Sequence, residues 1–247
     1  MRFGGIIWLS FFMLPAGAAE PGLEEIVNAH LDALGGKEKI SAVKTLKLTG
    51  TYAYNGLEHT LAVYRKRPAK TRFDIEGLEM YGTSVSPGKK VVRAYDGSAA
   101  WGMGENPKAS GAYDLPGTQA EIMAQRADFD GPLVDYLAKG NQLQLLGTAD
   151  VDGTDSWHLE VTLANGKKEE WFLHKKTYLP IKLVIKTGGQ DFTKPLVWFF
   201  DDWREVEGIM LPFFVHVEEL LFSREYLIEA VEVNPELPDS LFAKPAE

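Results

Sequence analysis

From Val43 onwards the apolar residues recur at every second position, and the runs end in glycine-containing turns. Leu46, Leu48, Tyr52 and Tyr54 alternate with Thr45, Lys47, Thr49 and Thr51. Asn55-Gly56 then supplies the strongest short hairpin signal, and Leu61 and Val63 alternate in the return strand. A period of two places one set of side chains on each face of a strand, and a tight turn joins neighbours antiparallel. Such a chain folds into a meander. Further strands are expected at 72–75, 79–85 and 90–95, separated by Gly77, Pro87-Gly88 and Asp96-Gly97. The pattern resumes with Trp157, Leu159, Val161 and Leu163, turns at Asn165-Gly166, and continues at 170–173, 181–185, 196–200, 213–217 and 226–233.

Helical spacing is confined to two regions. Leu23, Ile26, Val27, His30, Leu31 and Leu34 describe one amphipathic helix, stopped by Gly35-Gly36. In the middle of the chain Thr118-x-x-Glu121 reads as a capping box, with Ile122, Met123 and Arg126 continuing a helix over 118–126. Gly131-Pro132 opens a second over 132–139, with Leu133, Val134, Tyr136 and Leu137 apolar and Gly140 as its close. Helices this few cannot build βαβ units. No linker rich in Pro, Gly or Ser divides the 247 residues, a length that one mainly-β domain fills. The expected fold is α+β, mainly β: a single curved antiparallel sheet with helices on one face. The alternative is a closed up-and-down barrel around an internal ligand.

The first segment reads as a cleavable leader rather than as part of that fold. Arg2 gives a basic start, Ile6 to Leu14 are mostly apolar, and Pro15-Ala16-Gly17-Ala18-Ala19 offers cleavage after Ala18 or Ala19. The run is shorter than the about 20 residues that span a bilayer. Residues 1–19 are therefore expected to be a signal peptide and 20–247 one periplasmic domain, not an integral membrane protein. A formal charge of −9 disfavours nucleic acid, whose affinity comes from Lys and Arg on phosphates. The absence of cysteine excludes disulfides, thiolate metal sites and lipoprotein acylation.

Several stretches resemble the outer-membrane lipoprotein-sorting protein family, with its LolA/LolB-like fold. They are Ala33-Leu34-Gly35-Gly36, Leu48-Thr49-Gly50, Asp96-Gly97-x-x-x-Trp101 and Phe129-Asp130-Gly131-Pro132-Leu133. Leu146-Gly147 leading to Val151-Asp152-Gly153 follows, then Trp203-Arg204-x-Val206-x-Gly208-Ile209-x-Leu211-Pro212, then Val233-Asn234-Pro235-x-Leu237 with Phe242-x-x-Pro245. The resemblance runs from about Leu23 to Pro245. It implies an unclosed barrel of about eleven strands whose concave apolar face is covered by helices. It also implies binding of lipid or lipoprotein acyl chains, with envelope donor and acceptor proteins as further partners. Carriers of that group have a lid tied by an arginine, for which Arg65, Arg72, Arg93 and Arg204 are the candidates.

Motifs of catalysis do not add up. The histidines, His30, His59, His158, His174 and His216, lie in separate elements without ligand spacing, so neither a metal nor a cofactor is expected. Asp128/Asp130 and Asp201/Asp202 could be paired acids, but Asp130 stands before Gly131-Pro132, where capping is expected. Ser86-Pro-Gly-Lys89 and Ser41-Ala-Val-Lys44 fit S-x-x-K, and Lys186-Thr187-Gly188 fits K-T-G. A serine acyl-enzyme needs its serine on a buried helix, whereas Pro87-Gly88 reads as a turn, and the S-D-N element is missing. That reading is remote.

The aromatic load points elsewhere. Tyr52, Tyr54, Trp101, Trp157, Trp171, Phe172, Trp198, Phe199, Phe200, Trp203, Phe213 and Phe214 are more rings than a thin sheet needs. A large uncovered apolar face must be lidded or occupied. The expected function is a monomeric, non-enzymatic binder or carrier of lipid-like ligands. An interaction or envelope-stress-sensing module with the same fold is the alternative. The cavity is expected to include Leu48, Tyr52, Leu61, Val63, Leu159, Trp171, Phe199 and Phe213, with Trp101 at its rim beside a Gly102-Met103-Gly104 hinge. Ile122, Met123, Phe129, Leu133 and Tyr136 would face the ligand from the two middle helices, acting as a removable cover. For the leader, the exported protein is expected to begin at Ala19 or Glu20 when made in a Gram-negative host. Intact-mass measurement checks this, and an exported chain that retains Met1 contradicts it.

Overall fold

One antiparallel sheet of thirteen strands runs through a computed structural model that describes residues 20–54, 56–77, 90–104, 106, 108–186, 195–218 and 223–246. The leader, Asn55, the strand expected at 79–85, Ser86 to Lys89, and Thr187-Gly188 lie outside the described residues. In chain order the strands are β1 (Thr45–Tyr54), β2 (Leu57–Lys66), β3 (Lys70–Glu76), β4 (Lys90–Tyr95), β5 (Ala100–Met103) and β6 (Tyr113–Asp114). After the middle segment come β7 (Gln142–Val151), β8 (Thr154–Thr162), β9 (Lys168–His174), β10 (Pro180–Ile185), β11 (Leu196–Val206), β12 (Ile209–Glu218) and β13 (Ser223–Val233). The helices are α1 (Leu23–Ala33), α2 (Lys37–Ala42) and α3 (Gly117–Ala127).

The order across the sheet is β6-β5-β4-β3-β2-β1-β13-β12-β11-β10-β9-β8-β7. Each half is a meander, the halves meet at β1–β13, and β6 and β7 are left as the two edges. The sheet therefore stays open. The chain between those edges, residues 115–141, carries α3 and packs on the inner, concave face, where Met123 meets Ala100 and Leu115.

Period two sorts the side chains as expected. Val91, Ile75, Leu61 and Ile228 lie in one register row with Gly50 between Leu61 and Ile228, and Phe73, Val63, Leu48 and Val231 form the next. Both rows belong to the largest buried cluster, on the inner face. On the outer face the C-terminal segment covers the β3–β5 end. The Arg72 guanidinium donates to the Leu241 carbonyl, and Phe242 is fully buried.

Two glycines of the family-like stretches have a shared reason. A Cβ on Gly50 would lie 2.0 Å from the Leu227 carbonyl oxygen, where β1 passes the bulge that skips Glu229 in β13. A Cβ on Gly35 would lie 2.2 Å from the Gly208 carbonyl oxygen, where the Met210 N–H donates to Leu34 and pins the end of α1 to the β11–β12 turn.

Some expectations fail locally. The helix expected at 132–139 is a series of turns, because Asp135 takes a left-handed conformation (φ 50°) that interrupts helical bonding, and Leu137 is exposed. Thr118 does not cap: α3 starts after Pro116, so Thr118 sits inside the first turn, and Glu121 pairs with Lys167 instead. The helix α2 and the strands β5, β6 and β7 were not anticipated.

Gly50→Ala is expected to separate β1 from β13 at the joint between the halves. Overpacking of this kind costs about 1–3 kcal/mol, which lowers the thermal midpoint by several degrees. A melting curve followed by circular dichroism checks this, and an unchanged midpoint contradicts it.

Candidate ligand-binding site

The inner face is apolar over most of its width. Leu48, Tyr52, Leu61, Val63, Trp171 and Phe213 all belong to one cluster, together with Trp198, Phe200 and Leu211. A second cluster joins Leu159 and Leu133 to Ile26 of α1, Trp157 and Leu173. Phe129 is central to a third, with Val43, Leu46 and Ile209.

Where these clusters meet, a cavity of about 230 Å³ remains. α1 contributes His30, the α2 region Ile40 and Val43, β1 and β2 Leu46 and Arg65, and the middle segment Asp128 to Leu133. Trp171, Pro180, Phe200, Trp203 and Ile209 to Pro212 complete the wall. That volume exceeds the about 150 Å³ that encloses benzene and falls below the about 300–1,000 Å³ of sites for drug-sized ligands.

The segment over the cavity is held by polar ties. Arg65 Nη2 donates to the carbonyls of Arg126 (3.2 Å) and Asp128 (2.8 Å), just past the end of α3. Burial pushes the Arg65 pKa down, and the carboxylates of Asp128 and Asp130 act against that. Arg67 donates both guanidinium nitrogens to Asp130 (2.5 Å) and also reaches the Ile40 carbonyl (2.7 Å). The Phe129 ring takes both cations on its π-system, Arg67 at 4.5 Å and Arg65 at 5.3 Å. Lys139 closes the loop on Asp128 (2.7 Å) and the Gly131 carbonyl (2.7 Å). Farther along α3, Gln125 donates to Glu169 (3.2 Å), which also accepts from Trp171 Nε1 (2.8 Å). Burial raises the Glu169 pKa, against the hydrogen bond from Trp171.

Of the four arginines considered for a lid tie, Arg65 holds the end of α3 by such bonds. Arg72 lies on the outer face with Asp74, and Arg204 pairs with Asp202 in solvent. Arg93 stands on the inner face opposite Phe73. Asp130 is an ion-pair partner of Arg67 rather than a helix cap, since no helix follows it.

Two expected cavity residues lie elsewhere. Trp101 is 1% exposed and packs on Val92 and Ala94, with Nε1 donating to the Phe242 carbonyl (2.8 Å). It belongs to the outer layer under the C-terminal segment, because its register partner Ala94 points away from the inner face. Phe199 is also on the outer face, between Lys182 (5.4 Å) and His216 (6.1 Å). Parity decides this: Trp198 and Phe200 point inward, so the residue between them cannot. Met123 faces the inner sheet as expected, whereas Ile122 is only partly buried and Tyr136 reaches neither cavity nor cluster.

The residues missed lie mostly at the ends of elements and in the short helix: Leu34, Ile40, Val43, Arg67, Phe200 and Trp203. Phe200 and Trp203 carried a visible aromatic signal. Arg67 and Ile40 carried none. Among the described residues no group of three or more His, Asp or Glu side chains is placed to hold a metal ion, and no helix is long and apolar enough to cross a membrane.

No protein-family model and no curated protein matches the sequence. Solved structures do. A LolA superfamily protein from Nitrosomonas europaea aligns over 88% of this chain and 96% of its own at 16% identity, with a TM-score of 0.56. The chain shares the fold of that structure. A domain from Vibrio parahaemolyticus named for outer membrane lipoprotein sorting covers 88% of this chain and 94% of its own at 12% identity (TM-score 0.55). A DUF1329 family protein from Desulfovibrio piger covers 90% and 97% at 15% identity (TM-score 0.53).

His30 connects the cavity wall to stability. Its Nδ1 lies 2.9 Å from the Tyr178 carbonyl, an acceptor, so the neutral ring carries its proton on Nδ1. Burial drives the His30 pKa from 6.5 to about 4, against that hydrogen bond. Between those values the unfolded chain binds the proton and the folded chain does not, so stability falls as pH falls. The loss across that window is about 3 kcal/mol. Denaturant melts from pH 7 to 4 check it, and His30→Gln is expected to flatten this part of the slope. An unchanged slope in that variant contradicts the assignment.

Proposed function

We propose that the chain is an exported, non-enzymatic binder or carrier of lipid-like ligands, with residues 1–19 as its leader and 20–247 as one periplasmic domain. The observation that carries this reading is the cavity in the apolar inner face, roofed by a segment that polar ties hold down. Such ties can open in water at modest cost, because the groups released find solvent partners. The fold it shares with the LolA superfamily protein and the lipoprotein-sorting domain supports the same reading.

Magnitude selects the ligand class. Each buried CH₂ contributes about 0.8 kcal/mol, so a 16-carbon chain carries on the order of 12 kcal/mol. A cavity lined by Leu46, Leu211, Phe200 and Trp171 recovers that energy without a catalytic group. The closed cavity admits only part of such a chain, so the roof over Asp128 to Leu133 moves when a whole one binds.

Native mass spectrometry of gently purified protein, followed by solvent extraction, tests the proposal. Adduct masses that dissolve into acyl-containing lipid are expected, as is uptake of added palmitate or lysophospholipid. Leu211→Trp fills the cavity wall and is expected to weaken uptake at least about tenfold, the equivalent of about 1.4 kcal/mol. A bare protein mass together with no uptake of either lipid contradicts the reading.

A further inference from the structure

Beneath the end of α3, on the half of the inner face formed by β1–β4 and β11–β13, three arginines surround one pair of tyrosines. The Arg126 guanidinium lies 4.3 Å from the Trp198 ring centre and 4.8 Å from that of Phe73. Trp198 stacks on Tyr226 at 6.3 Å, and Tyr226 meets Tyr52 edge-on at 5.2 Å. Arg93 stands opposite Phe73 in the β3–β4 register, and Arg224 is two residues from Tyr226 on the same face of β13. Arg93 and Arg224 have other partners besides these rings. Arg126 is different: among the described residues its guanidinium meets ring faces and the Tyr226 phenol, and pairs with no carboxylate. Burial would raise the Tyr226 pKa, yet the charges of Arg126, Arg224 and Arg93 outweigh it and hold the hydroxyl below the ordinary tyrosine range.

A guanidinium stays charged in any protein environment, and its planar fork matches a carboxylate or phosphate in two parallel bonds. Enclosing it among rings, with no carboxylate paired to it among the described residues, leaves its charge without a counterion there. The apolar inner face is continuous from the cavity wall to this patch, since Tyr52, Tyr226 and Trp198 belong to the same cluster as the cavity-lining Leu211.

We propose that Arg126, with Arg93 and Arg224 around Tyr226, forms the head-group end of the ligand site and takes the phosphate or carboxylate of an anionic amphiphile. This rests on the reading of the groove as a lipid site. The chain of the ligand lies along the inner face, and its head group supplies an anion to a guanidinium that pairs with no carboxylate among the described residues. Arg126 also accepts the Arg65 hydrogen bond through its carbonyl, so the head group and the tie on the roof meet at one residue.

Titration calorimetry below the micellar range compares hexadecyl phosphate, palmitate, hexadecanol and inorganic phosphate on the purified protein. Both charged chains are expected to bind at least about tenfold tighter than hexadecanol. Arg126→Met brings that ratio close to one, Arg126→Lys restores part of it, and Lys47→Met on the outer face preserves it. If Arg126→Met does not fold, Trp198 fluorescence in the unaltered ring cluster reads the same contact: hexadecyl phosphate shifts it, hexadecanol does not, and Trp198→Phe removes the difference. Equal affinity for charged and neutral chains overturns the head-group site while the lipid reading stands. No binding of any chain overturns the lipid reading itself. Inorganic phosphate that binds alone with the same dependence on Arg126 overturns the amphiphile and assigns the patch to a free anion.

Discussion

An open sheet of thirteen strands cannot leave its inner face to water. The side chains that period two sends inward are mainly Leu, Val, Ile, Phe, Tyr and Trp, and a bare apolar surface of that extent would drive aggregation. The chain covers it with its own connection between the two edges, residues 115–141, and with α1 at the β8–β9 end. Everything distinctive about the site follows from that arrangement. The cover is a single crossing segment with a short helix, so it seals the sheet incompletely, and the cavity lies where α3 gives way to turns.

The character of the fastening matters as much as its position. Arg65 lies on β2, in phase with the inward Leu61 and Val63, Arg67 just past the end of that strand, and both reach the segment just after α3. Their cost of burial is offset by backbone carbonyls, by Asp130 and by the face of Phe129. Ties of this kind add a defined closed position to the apolar contacts that Met123, Phe129 and Leu133 make. The same logic explains Asp128, which the Lys139 ammonium holds against the loop.

The chemistry of single residues was legible where one rule dominated. Leu48, Leu61, Val63 and Phe213 announced their side of the sheet through alternation, and Gly35-Gly36 announced the end of α1. Phe199 failed because three consecutive aromatic residues carry no parity of their own; the register with Lys182 and His216 decides it. Trp101 failed because the C-terminal segment that buries it is 141 positions away. Tyr136 was expected on a helix that the left-handed Asp135 prevents. Arg65 could be recognised as one of several candidates, but choosing it required knowing which strand faces the end of α3. Short-range patterns read faces well and long-range contacts poorly, and the cavity is made of long-range contacts.

Hydrogen exchange of residues 117–134 tests the central idea most directly, since it reads the roof itself. With Arg65→Leu, two hydrogen bonds from a charged donor are lost, and exchange across this segment is expected to rise about tenfold or more while β1 and β12 stay protected. Adding a 16-carbon amphiphile to the unaltered protein is expected to change exchange in the same segment and little elsewhere. A roof that exchanges in step with the sheet, indifferent both to Arg65 and to the amphiphile, would show it to be fixed core and would contradict an opening site.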